Sequence, residues 1–91
     1  MKNEHGIDCP LNWEDVNKEV QYIAAHPNGK LIGYGKLPIL KDSGVFFKLI
    51  SGDDLQVNFW DCQMDEKTLI ELGKYYVILD VSKHIWQRPQ P

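Results

Sequence analysis

Residues 44–61, GVFFKLISGDDLQVNFWD, read as two β-strands around a polar turn, with Phe46, Phe47, Phe59 and Trp60 crowded into one hairpin. Side chains alternate between faces along a strand, so the turn length decides which aromatics share a face. A three-residue Gly52-Asp53-Asp54 loop sets Leu49 opposite Val57 and Phe47 opposite Phe59. One face then holds Val45, Phe47, Leu49, Leu55, Val57 and Phe59, an apolar set suited to a core. The other face holds Phe46, Lys48 and Ile50 against Gln56, Asn58 and Trp60, with Phe46 beside Trp60 and Lys48 beside Asn58. A two-residue Gly52-Asp53 turn would oppose Phe46 with Phe59 and Lys48 with Val57, mixing polar and apolar residues on both faces. An odd-numbered loop is therefore the expectation.

That choice points Phe46 and Trp60 outward, beside a lysine and two amides. Such a platform suits single-stranded nucleic acid, because every base has a π-face and stacking on one aromatic is worth about 1–3 kcal/mol. Lysine attracts phosphate, and Asn and Gln reach base edges. Two other readings of the same residues stay open. Trp and Phe anchor protein interfaces as readily as they stack bases. An N-terminal helix could also cover the face, making Phe46 and Trp60 a second small core under Val16, Val20 and Ile23.

Upstream of the hairpin, residues 1–11 read as a flexible N-terminal segment with Gly6 and Pro10 as breakers, ahead of a single domain over 12–91. Trp13, Val16, Val20, Ile23 and Ala24 recur at helical spacing, Asn12 is a suitable N-cap, and Pro27-Asn28-Gly29 is a stop, predicting a helix over 13–25. KLIGYGKLPILK, from Lys30, is β-type sequence broken by Gly33, Gly35 and Pro38, as in a strand that bulges or bends. Downstream, MDEKTLIELGK predicts a short helix capped by Asp65 and ended by Gly73. KYYVILDV is a strand, and KHIWQ a weaker one before the final Pro89-Gln90-Pro91.

With 91 residues, 43% of them hydrophobic and 11% aromatic, the chain fits one small globular domain rather than a disordered one. The net charge of −3 counts against coating nucleic acid by charge alone. That excess lies in residues 1–28, where Lys2 and Lys18 meet five acids. Lys30, Lys36, Lys41 and Lys48 fall close together with only Asp42 among them, so a local basic stripe is allowed. No apolar run approaches the ~18 residues of a membrane helix. The first residues lack the apolar core of a signal peptide, so a cytoplasmic protein with reduced Cys9 and Cys62 is expected.

SGDDLQVNFWD, followed by a short helix and LIELGKYYVI, resembles OB-fold domains of the replication protein A type. In that family a strand after a polar turn carries G-x-I-x-x-x-x-F, then comes a helix, then G-x-x-Y-x-I. The likeness spans about residues 30–88 and is strongest over 51–79. It implies a mainly β chain: a small five-stranded OB-like barrel closing near Ile85 and Trp86, with a short helix between the third and fourth strands. The predicted N-terminal helix is an addition to that pattern. By position, Leu55 falls on the family's inward apolar residue, Gln56 and Asn58 on outward polar positions, and Trp60 on a base-stacking aromatic. Phe46 falls in the preceding strand, where the family often presents another ligand-facing residue.

Catalytic and metal constellations are weak. His5-x-x-x-Cys9 is the only close His/Cys pair, and nothing near it in sequence completes a zinc set. Asp53-Asp54 and Asp65-Glu66 suit a turn and a helix start. No nucleophile has a matched base, and no glycine-rich phosphate loop is present. The sequence thus points to a non-enzymatic module without cofactor or metal that binds single-stranded DNA or RNA. Trp60 and Phe46 would stack bases, Lys48, Lys36 and Tyr34 would hold the backbone, and Gln56 and Asn58 would contact base edges. The alternative is a protein-interaction module, such as a small subunit or inhibitor of a nucleic-acid-handling complex.

Overall fold

A computed structural model describes residues 2–62, 70–78 and 80–90. Among them the chain is mainly β, with six strands: β1 (Tyr22–Ala25), β2 (Lys30–Tyr34), β3 (Ile39–Lys48), β4 (Asp54–Asp61), β5 (Ile70–Lys74) and β6 (Ile85–Gln87). They form two separate antiparallel sheets and no closed barrel. One is four-stranded in the order β5-β2-β1-β6, and the other is a two-stranded ribbon of β3 and β4. The ribbon is inserted between β2 and β5, which pair with each other. β6 crosses to the opposite edge and pairs with β1. The β1–β2 connection is the Pro27-Asn28-Gly29 turn, where Gly29 takes φ +83° and its N–H donates to the His26 carbonyl.

The helix predicted over 13–25 is not formed. Asn12 does cap, its Oδ1 accepting from the Glu14 N–H at 3.1 Å, but only a single 3₁₀ turn follows, Trp13–Asp15. Asn17 then makes a second local turn by accepting from the Glu19 N–H, the kind of side-chain competition that takes Asn out of helices. The carbonyls of Trp13, Val16, Asn17 and Val20, which a helix would use internally, instead accept from the Arg88 guanidinium. That partner lies some seventy residues away, beyond the reach of local periodicity. Ile23, Ala24 and Ala25 are all buried because β1 is covered on both faces. A strand buried on both sides loses its alternation and imitates a buried helix segment.

Other boundaries move for related reasons. KLIGYGKLPILK splits into β2 and the start of β3, with the break at Gly35–Pro38. Gly33 sits mid-strand because Val20 packs on it: an added Cβ would lie 2.8 Å from both Val20 methyl carbons. The short helix expected from Asp65 to Gly73 falls partly outside the described residues, and Ile70–Lys74 is strand rather than helix. Strand β5 therefore ends where KYYVILDV was expected to begin. Tyr75–Ile78 follows outside any strand, its path fixed in part by the Tyr75 N–H donating to the Gly29 carbonyl.

Two apolar clusters cover the faces of the four-stranded sheet. On one side Val16, Val20, Ile23, Ala25, Leu31 and Trp86 pack with Ile7, Cys9, Leu11 and Trp13. Residues 2–11, expected as a loose lead-in, are tied down here. Asn3 donates to the carbonyls of Lys83 and Ile85 and accepts from the His5 and Ile7 N–H groups, and the Trp86 indole donates to the Ile7 carbonyl. On the other side Ala24, Tyr34, Trp60 and Val81 form a second core. No helix among the described residues is long and apolar enough to cross a membrane.

Candidate functional site

The β3–β4 ribbon projects from the second core as an arm, and the molecule measures 46 × 27 × 20 Å. Its faces sort as the hairpin reading requires, but through a different register. Leu49 and Asp53 close an odd-numbered loop, setting Lys48 opposite Asp54, Phe47 opposite Leu55 and Phe46 opposite Gln56. Farther along, Ser43, Gly44 and Val45 bulge opposite Val57, with Gly44 at φ +74° and the Ser43 hydroxyl donating to the Val57 carbonyl. Asp42 then faces Asn58, and Leu40 faces Trp60. Two extra residues in the bulge preserve parity, so Phe46, Lys48, Gln56, Asn58 and Trp60 still share one face.

Burial along that face is not what the sequence implied. Trp60 does not point to solvent: it is 9% exposed, packed with Ala24, Tyr34 and Val81, and its indole N–H donates to the Val81 carbonyl at 3.1 Å. Near its root the arm lies on the sheet, so the same face is inward there and outward toward the tip. Phe46 is 58% exposed, opposite Gln56 rather than beside Trp60. Lys48 is exposed opposite Asp54, while Gln56 and Asn58 are half-buried. Tyr34 is buried at the end of β2, and Lys36 is exposed in the β2–β3 link. The structure thus groups Phe46, Lys48, Gln56 and Asn58, and separates them from Trp60, Tyr34 and Lys36.

The expected core face of the hairpin is only partly covered. Val45, Phe47 and Leu49 are exposed, with Phe47 at 47%, Leu55 and Phe59 are half-buried, and Val57 is buried; Ile50, expected on the opposite face, and Ile39 are exposed as well. Beyond its root the arm therefore carries large apolar side chains on both faces, with no sheet or helix among the described residues over either. The signal for this was present in the consecutive pairs Phe46-Phe47 and Leu49-Ile50. Neighbours in a strand must point to opposite faces, and only one face of a ribbon can lie on a small core.

A cleft of about 380 Å³ opens at the root of the arm, lined among the described residues by His26, Lys30, Ile32, Tyr34, Trp60, Asp61, Cys62 and Glu71 with Asn28. His26 Nε2 and the Tyr34 hydroxyl lie 2.5 Å apart, and that hydroxyl also reaches the Trp60 carbonyl at 3.4 Å. Burial lowers the His26 pKa and, with help from the nearby Asp61 and Cys62, raises that of Tyr34, so both are neutral near pH 7. The charges at the rim are paired, Lys41 with Asp61 at 2.8 Å and Lys30 with Glu71 at 3.8 Å. The hydrogen bond to Lys41 holds the Asp61 carboxyl below its ordinary range. The imidazole is bonded to Tyr34 rather than to Cys62, so no thiol–imidazole pair is assembled. The cleft reads as a polar joint between arm and sheet. Neither family models, curated proteins nor solved structures gave any match to this chain.

Proposed function

We propose that the chain is a protein-interaction module that works through its β3–β4 arm. One observation carries this reading: a two-stranded ribbon bears Phe46, Phe47, Val45, Ile39, Leu49 and Ile50 in solvent, on both faces. An isolated two-stranded hairpin is marginal in water. Large exposed apolar side chains gathered on one element, rather than scattered singly, mark interaction sites in folded proteins. Its charge favours protein over phosphate. Lys41 is already paired with Asp61, and Lys48 faces Asp54 on a ribbon that also carries Asp42 and Asp53. A photo-crosslinking residue in place of the exposed Ile50, compared with one at the exposed Lys18, tests this in cells. Protein adducts specific to position 50, lost in Phe46→Ser/Phe47→Ser, support the module; adducts no different from the control refute it.

A second reading keeps the single-stranded nucleic-acid role that the OB-like sequence pattern implies. It draws support from Phe46, Lys48, Gln56 and Asn58 sharing one face. The role would rest on Phe46 as stacker, since Trp60 is buried. Fluorescence polarisation of a labelled oligonucleotide at low and moderate salt tests it. Salt-sensitive binding lost in Phe46→Ala supports this reading, and no binding at low salt sinks it.

A further inference from the structure

We infer that the arm's partner is a second copy of this chain, paired antiparallel along the free edge of β3. This rests on reading the arm as an interaction element and names its occupant. Among the described residues each strand of the ribbon pairs on one side only, leaving two open backbone edges. The edge of β4 offers Asp54 and Asp61 and no base, so no two-fold register of β4 on itself sets an acid opposite a base. The edge of β3 is different. It carries Asp42 and Lys48 with Val45 midway between them. Two-fold pairing about Val45 places Asp42 opposite the partner's Lys48 and Lys48 opposite the partner's Asp42. At its ends the same register brings Leu40 toward the partner's Ile50, in the turn just beyond β3, twice by symmetry. Opposite charges and paired apolar side chains are the contacts that stabilise cross-strand neighbours, and an isologous two-fold contact closes without leaving a sticky end.

Local geometry fits this arrangement. Asp42, Phe46 and Lys48 lie on one face of the arm, as facing partners across an antiparallel pair must. Asp42 uses Oδ1 to hold the Gly44 N–H at 2.9 Å, which leaves its second oxygen for an incoming ammonium. Lys48 makes no ion pair among the described residues, whereas Lys41, the other base of β3, is held by Asp61. The bulge lies at the two-fold centre, where the register sets Gly44 opposite the partner's Phe46. A Cβ at Gly44 would meet nothing within 4 Å, so the space above it is open to that ring. Pairing of the two arms gives a four-stranded sheet in the order β4-β3-β3-β4, which removes the marginal two-stranded state of each.

Sedimentation equilibrium of the full chain over about 5–200 μM, on wild type and charge variants, decides the matter. The expected result is a wild-type dimer, weakened about tenfold in Kd by Asp42→Lys or Lys48→Asp, and restored to within a few-fold in the double variant that swaps the two charges. A wild type monomeric throughout this range overturns self-pairing. If that monomer binds bis-ANS and Phe46→Ser/Phe47→Ser does not, the arm keeps its role as an interaction element for a different protein. A dimer unmoved by the single variants, or not restored by the swap, overturns the β3 register. A dimer unmoved by Phe46→Ser/Phe47→Ser as well removes the arm from the interface, and the reading of the arm falls with it. Circular dichroism of every variant confirms that the fold is retained, since all four positions are exposed.

Discussion

Replacing Trp60 by alanine separates an aromatic platform from an aromatic core. Trp60 is 9% exposed and donates its indole N–H to the Val81 carbonyl, while Phe46, on the same face of the arm, is 58% exposed. Truncating a buried Trp costs about 3–5 kcal/mol through lost transfer energy and the cavity left behind. The orphaned Val81 carbonyl accounts for about 1 kcal/mol or more of such a loss. A domain of this length holds roughly 5–14 kcal/mol in total, so Trp60→Ala consumes about a fifth of its stability or more and lowers Tm by about 15–30 °C. Phe46→Ala, with more than half its ring already in water, costs less than about 1 kcal/mol. The assay is urea unfolding followed by far-UV circular dichroism, with equal m-values required for the comparison. A loss under about 1 kcal/mol for Trp60→Ala, matched or exceeded by Phe46→Ala, would mean that Trp60 faces solvent and that the arm does not lie on the sheet as described.

Three further outcomes follow from packing and titration. Gly33→Ala forces a Cβ to within 2.8 Å of both Val20 methyl carbons and 3.1 Å of a Leu72 methyl, so it destabilises by about 1–3 kcal/mol in thermal melts; a neutral result would mean that Val20 does not seal this face. Arg88→Lys keeps the charge but cannot bridge the carbonyls of Val20 and Asn17 while lying over the Trp13 ring at 4.8 Å. It should cost about 2–3 kcal/mol by urea unfolding and raise hydrogen exchange in residues 13–20, and unchanged exchange there refutes the clamp. For His26 and His84 burial lowers the folded-state pKa, so as pH falls through ~6.5 the unfolded chain takes up protons that the folded chain resists. Stability therefore drops between about pH 7 and 5, and His26→Gln flattens that slope; a slope unaltered in His26→Gln refutes the assignment.

Much of the hairpin was legible from residues alone because it is a local structure. Strand alternation and the polar turn at residues 51–54 fixed an odd loop and placed Phe46, Lys48, Gln56, Asn58 and Trp60 on one face, and the face assignment survives a bulge of two residues because parity does. Register was not legible. The loop closes at Leu49 and Asp53, and the bulge at Ser43–Val45 absorbs the difference, since apolar residues occur in both phases of β3 and do not select one slip. The N-terminal stretch shows the reverse case. Val16, Val20, Ile23 and Ala24 have helical spacing, yet Arg88 captures the carbonyls a helix would use and β1 is buried on both faces.

The sequence by itself determined a mainly β chain, the turn at Pro27–Gly29, the capping role of Asn12 and an arm with aromatics on opposite faces. All of these follow from dihedral preference and side-chain alternation between near neighbours in the chain. Which aromatic is core and which is surface was decided only by tertiary structure. Trp60 and Phe46 occupy the same face, and they differ because the four-stranded sheet lies under the arm's root and ends before its tip. Where one sheet stops beneath another depends on pairings such as β2 with β5 and β1 with β6, between segments far apart in the chain, and local sequence carries no measure of that distance.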